Sequence, residues 1–305
     1  MKILILGGSG LVGSSLIRVL PTKLKNTILY YPKRSEANLF SLNETKNVFK
    51  EFKPDVIINA AAKVGGIFAN NTLRSQFILE NLKINMNLLE TFIDFPKSYF
   101  INLGSSCIYP LNAESPINED SLMTGKLEPT NSPYAMAKLT SIEIASSISK
   151  QYGHKIINLM PTNLYGPNDN FTDESSHVIP GLIYRMHYAK QNNEKEFNVW
   201  GTGKPLREFL YVDDLADAIS FIIEKRPDNE ILNIGSGSEI SINDLVNLIK
   251  DTINYEGKIN FDSTKPDGNP RKLINSQLIN NLGWEAKTSL NKGLEKTYSW
   301  YKKFS

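Results

Sequence analysis

The 305-residue sequence contains one cysteine, Cys107, so no internal disulfide can brace the chain. That agrees with a reducing cytoplasm, the expected location. An excess of either charge is also missing: 34 Lys and Arg against 32 Asp and Glu leave a formal net charge of +2. Such a balance does not draw nucleic acid or an anionic membrane onto a whole face, and neither partner is expected. An anionic ligand would have to be held by a local cluster. Long hydrophobic runs are lacking too. Lys2, the apolar Ile3 to Leu6 and the stretch 11–20 faintly resemble a secretory leader, but glycines and serines between Gly7 and Ser15 interrupt it and no small-residue cleavage site follows. The segment reads as strand, turn and helix, and no membrane span is expected. There is no internal repeat, low-complexity tract or metal-binding pattern.

What is present is an ordinary globular composition, 41% hydrophobic and 22% charged. The length suits one enlarged α/β domain or a nucleotide domain with a smaller partner, and we favour the second. Through the first half, short apolar runs alternate with longer amphipathic ones, the pattern of β-α units feeding a parallel sheet. Strands are expected at 2–6, 27–31, 55–59, 99–103 and 155–160, and helices at 11–20, 44–52, 73–93 and 133–152. Proline, asparagine and glycine then gather in 161–170, a connection of the kind that carries function. A helix from Ser176, a strand at 197–200 and a helix at 213–224 follow, the last two read as a return to the first unit. Helices at 242–252, 277–282 and 290–301 complete the chain. The expected fold is α/β, a doubly wound parallel sheet with a smaller α/β substrate domain. The dinucleotide unit would span 1–164 and about 195–225, and the substrate unit about 165–194 and 226–305.

Gly7, Gly8, Ser9, Gly10, Leu11, Val12 and Gly13 follow the first strand and open a helix with glycines spaced G-x-x-G-x-x-G. Glycine lets the backbone turn sharply and approach a pyrophosphate, and the helix N-terminus offers it N–H groups. The second strand ends in Tyr30-Tyr31-Pro32-Lys33-Arg34, where an NAD enzyme would place an acid for the ribose hydroxyls. Lys33 and Arg34 suit a 2′-phosphate, which favours NADP(H), although either alone also reads as a solvated loop charge.

The fourth strand runs into Ser105, and a later helix carries Tyr134 and Lys138 at i and i+4, on one face. An ammonium beside a phenol favours its ionised form, and a shift of about three units needs roughly 4 kcal/mol, within reach of one lysine plus a cationic nicotinamide. Tyr134 would then exchange a proton with a carbonyl or alcohol oxygen that Ser105 steadies by a hydrogen bond. On its own, Y-x-x-x-K is also common surface chemistry. Joined to the glycine turn and the strand-end serine, it points to a ketone reductase.

Further blocks sharpen the picture: Ala62-Lys63-Val64-Gly65-Gly66-Ile67, Ser105-Ser106-Cys107-Ile108-Tyr109-Pro110, Pro161-Thr162-Asn163-Leu164-Tyr165-Gly166-Pro167, Ser176-His177-Val178-Ile179-Pro180, Trp200-Gly201-Thr202-Gly203, Arg207-Glu208-Phe209 and Lys265-Pro266-Asp267-Gly268. Together they resemble the extended short-chain dehydrogenase/reductases over almost the whole chain. Within that family they resemble the branch that epimerises C3 and C5 of GDP-4-keto-6-deoxy-D-mannose and reduces C4 with NADPH. The resemblance implies Cys107 as base and His177 as acid in the epimerisation. By themselves, Cys107 could be a small buried hydrophobe and His177 a helix cap. It also extends the cofactor contacts to Ala60, Ala61, Leu103, Lys138, Pro161, Asn163, Leu164 and His177. For the GDP-sugar it implies Asn163, Arg185, Trp200, Arg207 and Asp267, and it implies a homodimer. Three positions depart from the pattern: Gly8-Ser9 stands where a basic residue is usual, Pro32 where an arginine is usual, and Asn275 where an acid is usual. Two rivals remain, a C4 reductase of a GDP-4-keto-6-deoxyheptose without epimerase activity and a non-catalytic NADP(H)-binding protein.

Overall fold

Residues 1–172, 176–265 and 267–304 are described by the computed structural model; Pro266, in one of the quoted blocks, lies outside them. The first half alternates as expected: β1 (Lys2–Leu6), α1 (Leu11–Lys23), β2 (Ile28–Tyr30), α2 (Leu42–Phe52), β3 (Val56–Asn59), α3 (Ile67–Thr72), α4 (Arg74–Phe92), β4 (Tyr99–Leu103), α5 (Ser132–Tyr152) and β5 (Lys155–Pro161). There follow β6 (Asn163–Tyr165), α6 (Val178–Gln191), β7 (Glu196–Trp200), β8 (Leu206–Tyr211), α7 (Val212–Lys225), β9 (Ile231–Ile234), β10 (Glu239–Ser241), α8 (Ile242–Ile253), β11 (Lys258–Asp262), β12 (Arg271–Lys272), α9 (Gln277–Leu282) and α10 (Leu290–Phe304). Among the described residues no helix is long and apolar enough to cross a membrane.

Six strands form one parallel sheet in the order β2-β1-β3-β4-β5-β9. Its central strands are buried on both faces and are correspondingly apolar; Ile3, Leu4 and Ile5 are fully buried. One face packs on α1 and α7 through Leu16, Leu20, Leu215 and Ile219, the other on α2, α4 and α5 through Phe49, Leu88 and Ala145. Strand order reverses between β1 and β3, which places a ligand crevice at their carboxyl ends.

Strand β7 does not return to this sheet. It pairs with β11, and Phe197 and Val199 turn into a second core built with α6, α8 and α10. Its burial alternates, with Glu196, Asn198 and Trp200 outward, whereas a central strand of a doubly covered sheet must be apolar on both faces. Helix α7 does return, with Ser15 Oγ donating to the Val212 carbonyl at 3.2 Å and Arg18 paired with Asp213 at 2.7 Å. The sixth strand is β9, in a segment where no strand was expected and which the sequence reading counted with the substrate unit.

A buried row of amides crosses the sheet just below its carboxyl end. Asn59, Asn102 and Asn158 are in register on β3, β4 and β5. Asn59 donates to Asn102 Oδ1 at 3.3 Å, and Asn102 donates to Asn158 Oδ1 at 2.9 Å. Asn59 also reaches Asn85 of α4 at 3.0 Å, and Asn102 reaches Ser141 of α5 at 2.9 Å.

Candidate active site

The glycine turn sits at the reversal point. Gly7 has φ +85°, and a Cβ there would stand 2.7 Å from the Ala60 carbonyl carbon. At Gly13 a Cβ would collide with the Gly7 carbonyl oxygen, so α1 approaches β1 as closely as it does only because this residue has no side chain. Gly10 is the N-cap of α1 and its side-chain-free position leaves the first N–H groups uncapped. The turn is thus closed towards Ala60 and Ala61 and open at the helix N-terminus. This cradle suits the pyrophosphate of a dinucleotide. At Gly8, where a basic residue was the expected pattern, a Cβ would come within 2.9 Å of Tyr31 Cβ, so Tyr31 occupies that space. Lys33 and Arg34 lie exposed beyond β2, with the Arg34 guanidinium 5.1 Å from the Phe40 ring centroid.

The reacting groups gather at the end of β4. Ser105 N-caps a short 3-10 turn over Ser106–Ile108, its Oγ accepting from the Cys107 N–H at 3.2 Å. Helix α5, with Pro133 in its first turn, lays Tyr134 over this turn, hydrogen-bonded to Ser105. Phe77 of α4 packs edge-on to the Tyr134 ring at 6.5 Å. One helical turn on, Lys138 is 3% exposed, and its Nζ lies 5.9 Å from the Tyr134 ring centroid. Nζ donates to the Leu103 carbonyl at 2.6 Å.

Acidification of the phenol by Lys138 is not what these side chains produce. Burial pushes the Tyr134 phenol up, the adjacent Cys107 adds to that, and only the Ser105 hydrogen bond opposes it. Burial also lowers Lys138 to about 8. Desolvation of both groups outweighs their attraction, because the ammonium is directed at a carbonyl and not at the phenol oxygen. Any cationic help to the phenol must come from a bound nicotinamide.

His177 occupies the N-cap position of α6, yet its side chain makes no capping hydrogen bond, which removes the capping alternative. Surrounding protein pushes its pKa down. Among the described residues it forms no hydrogen bond to Cys107 or Tyr134. His154, without a motif in the sequence, is a core residue whose ring nitrogens meet the Tyr152 and Ile93 carbonyls at 3.3 and 2.9 Å.

Arg207 of β8 is close enough to both Cys107 and Asp267 for their charges to raise its pKa, although burial lowers it more. Asp267 is exposed and held low by Thr202, whose N–H and hydroxyl donate to its two oxygens at 2.8 and 2.6 Å. Trp200 is 69% exposed, which excludes a core role, and Lys265 Nζ stands 5.7 Å from its ring centroid. Arg185 is engaged with the protein, over the Phe197 ring at 5.1 Å and donating to the Asn198 carbonyl at 3.2 Å. Asn163 donates to the Glu208 carbonyl at 2.8 Å. Leu103 and Pro161 are the last residues of β4 and β5, and Leu164 is the middle residue of β6. Sequence reading missed Phe77, Thr202 and Glu208 as contributors; the last two stand inside quoted blocks, but nothing in the spacing says what they touch.

The chain is similar to known proteins over most of their length. GDP-L-fucose synthase 1 of Arabidopsis thaliana is 48% identical over 302 residues, covering 99% of this chain and 93% of that protein. The structure of a GDP-6-OMe-4-keto-L-xylo-heptose reductase from C. jejuni superposes with a TM-score of 0.92 at 30% identity, covering 100% and 98% of the two chains. A GDP-L-fucose synthetase from Naegleria fowleri bound to NADP gives 0.90 at 28% identity, covering 99% and 94%. Residues 3–235 match the model of the NAD dependent epimerase/dehydratase family, and the chain belongs to that family.

Proposed function

We propose that this protein converts GDP-4-keto-6-deoxy-D-mannose to GDP-L-fucose with NADPH, by inversion at C3 and C5 and reduction at C4. The observation that carries this is the convergence of Ser105 and Cys107 on one turn beneath Tyr134, with Arg207 close to the same cysteine. The sugar's C4 ketone makes the protons on C3 and C5 removable, since either loss gives an enolate. Cys107 takes the proton, Ser105 and Tyr134 hold the enolate oxygen by hydrogen bonds, and His177 returns a proton to the opposite face. The high phenol pKa suits this stage, because a neutral Tyr134 donates without losing its proton. Held at the glycine turn, NADPH would supply the hydride for C4. Tyr134 then gives its proton to the alkoxide, and Lys138, anchored on the Leu103 carbonyl, would orient the cofactor ribose. Lys33 and Arg34 take the 2′-phosphate. Arg207 and Arg185 take the diphosphate, while Asn163, Trp200 and Asp267 contact the GDP-sugar.

Two copies would pair through α4 and α5, where Leu79, Met86 and Met136 are exposed, and the reaction would run in the cytoplasm. The heptose reductase alternative uses Ser105, Tyr134 and Lys138 alone. Incubation with NADPH and GDP-4-keto-6-deoxymannose in heavy water separates the two. Deuterium at C3 and C5 of a GDP-L-fucose product is expected, and a C4 alcohol with no label at those carbons would refute the epimerase half.

A further inference from the structure

Successive side chains of a strand face opposite ways, and on β8 this sends Arg207 towards Cys107 and Asp267 and Glu208 into the interior. Glu208 is 0% exposed. Its Oε1 accepts from the Gly237 N–H at 2.8 Å and its Oε2 from the Ile274 N–H at 3.2 Å. The main chain of the same residue is gripped as well, with Asn163 Nδ2 and Thr162 Oγ1 donating to its carbonyl at 2.8 and 3.3 Å. The surroundings are shaped to it: a Cβ at Gly235 would press into the carboxylate and stand 2.9 Å from Ser276 Oγ, which accepts from the Gly235 N–H at 2.8 Å.

Four segments therefore meet at one residue: the link between β5 and β6, strand β8, the loop after β9, and the stretch after β12. The first and third leave the six-stranded sheet that carries the glycine turn. The other two belong to the sheet that carries Arg207. A carboxylate buried among N–H and hydroxyl donors is costly, and an apolar residue of similar size would fill the space more cheaply. Volume alone does not account for it. What a carboxylate can do there, and an apolar side chain cannot, is fix the two sheets to each other at hydrogen-bond precision.

We propose that Glu208 is a positioning residue for the nucleotide sugar, its carboxylate pinning β8 to the loop after β9 and so holding Arg207 beside Cys107. This rests on Arg207 gripping the substrate diphosphate. The test is a double-mutant cycle of Glu208→Gln and Arg207→Ala, reading KM for GDP-4-keto-6-deoxymannose, Kd for NADPH and thermal midpoint. Glu208→Gln is expected to raise KM about tenfold with NADPH Kd changed less than about twofold, and to have no further effect on KM once Arg207 is alanine. The same KM factor in both backgrounds overturns the proposal, as does an unchanged KM with only a lower thermal midpoint. If Arg207→Ala alone leaves KM unaltered, the diphosphate role falls and the proposal with it. Glu208→Asp, which keeps the charge but is one methylene shorter, carries the same cycle if the glutamine variant does not fold.

Discussion

Lys138 offers a test in which stability reports on the active site. Its ammonium is 3% exposed, and burial lowers its pKa from 10.5 to about 8. Below pH 8 the lysine is charged in both folded and unfolded chains, so the desolvation penalty is fully present there. Between 8 and 10.5 the folded protein sheds the proton while the unfolded chain keeps it, and stability rises with pH. From about pH 7.5 to about pH 10 this linkage is worth about 2 kcal/mol. Lys138→Met keeps a similar shape and has no such titration. Urea unfolding followed by tryptophan fluorescence at the two pH values, for both proteins, isolates the effect, because every other titrating group cancels in the difference of differences. The wild type should gain about 2 kcal/mol on the variant as pH is raised. A stability gap that is the same at both pH values would refute a buried, proton-shedding lysine and leave the ammonium solvated.

Tyr134→Phe is expected to lower the rate of C4 reduction on the order of 10³-fold, with NADPH binding by fluorescence titration nearly unchanged; full turnover would remove the proton-donor role. Cys107→Ser should suppress deuterium entry at C3 and C5, read by NMR, and undiminished labelling would take Cys107 out of the chemistry. Lys33→Ala with Arg34→Ala should weaken NADPH by roughly tenfold or more against NADH, and an unaltered ratio of the two dissociation constants would defeat the 2′-phosphate assignment.

Where local chemistry decides, sequence and structure agree. Strands β1 and β4 are mostly apolar runs followed by glycine, and both occupy their expected residues. The glycine turn and Ser105 follow the carboxyl ends of β1 and β4, and Tyr134 and Lys138 lie in the first two turns of α5, so a linear pattern maps onto one edge of the sheet. The failures are non-local. Ile231–Ile234 is four residues with Asn233 among them, and only the β5 edge makes it a strand. Ile67–Thr72 had no element assigned to it, because six residues ahead of the helix expected at 73–93 are too few to show a helical period. Strand β7 carried its answer in its alternation, which fits one buried face and not two. The phenol pKa was misjudged for a different reason: spacing on a helix shows that an ammonium is near, but not how far both groups are removed from water, nor that Leu103 offers the ammonium a better partner.

The amide row through Asn59, Asn102 and Asn158 bears on how freely this protein can vary. In an apolar core, volume-matched exchanges at single positions are mild, since any neighbour accepts another methyl group. A polar chain has no such tolerance. Converting one asparagine to leucine leaves the amides on the flanking strands facing a group that can neither give nor take a hydrogen bond, and each orphan costs about 1–3 kcal/mol. Three strands are thereby committed to alter in concert or to stay as they are, so the layer under the catalytic turn resists piecemeal change more than the aliphatic layers above and below it.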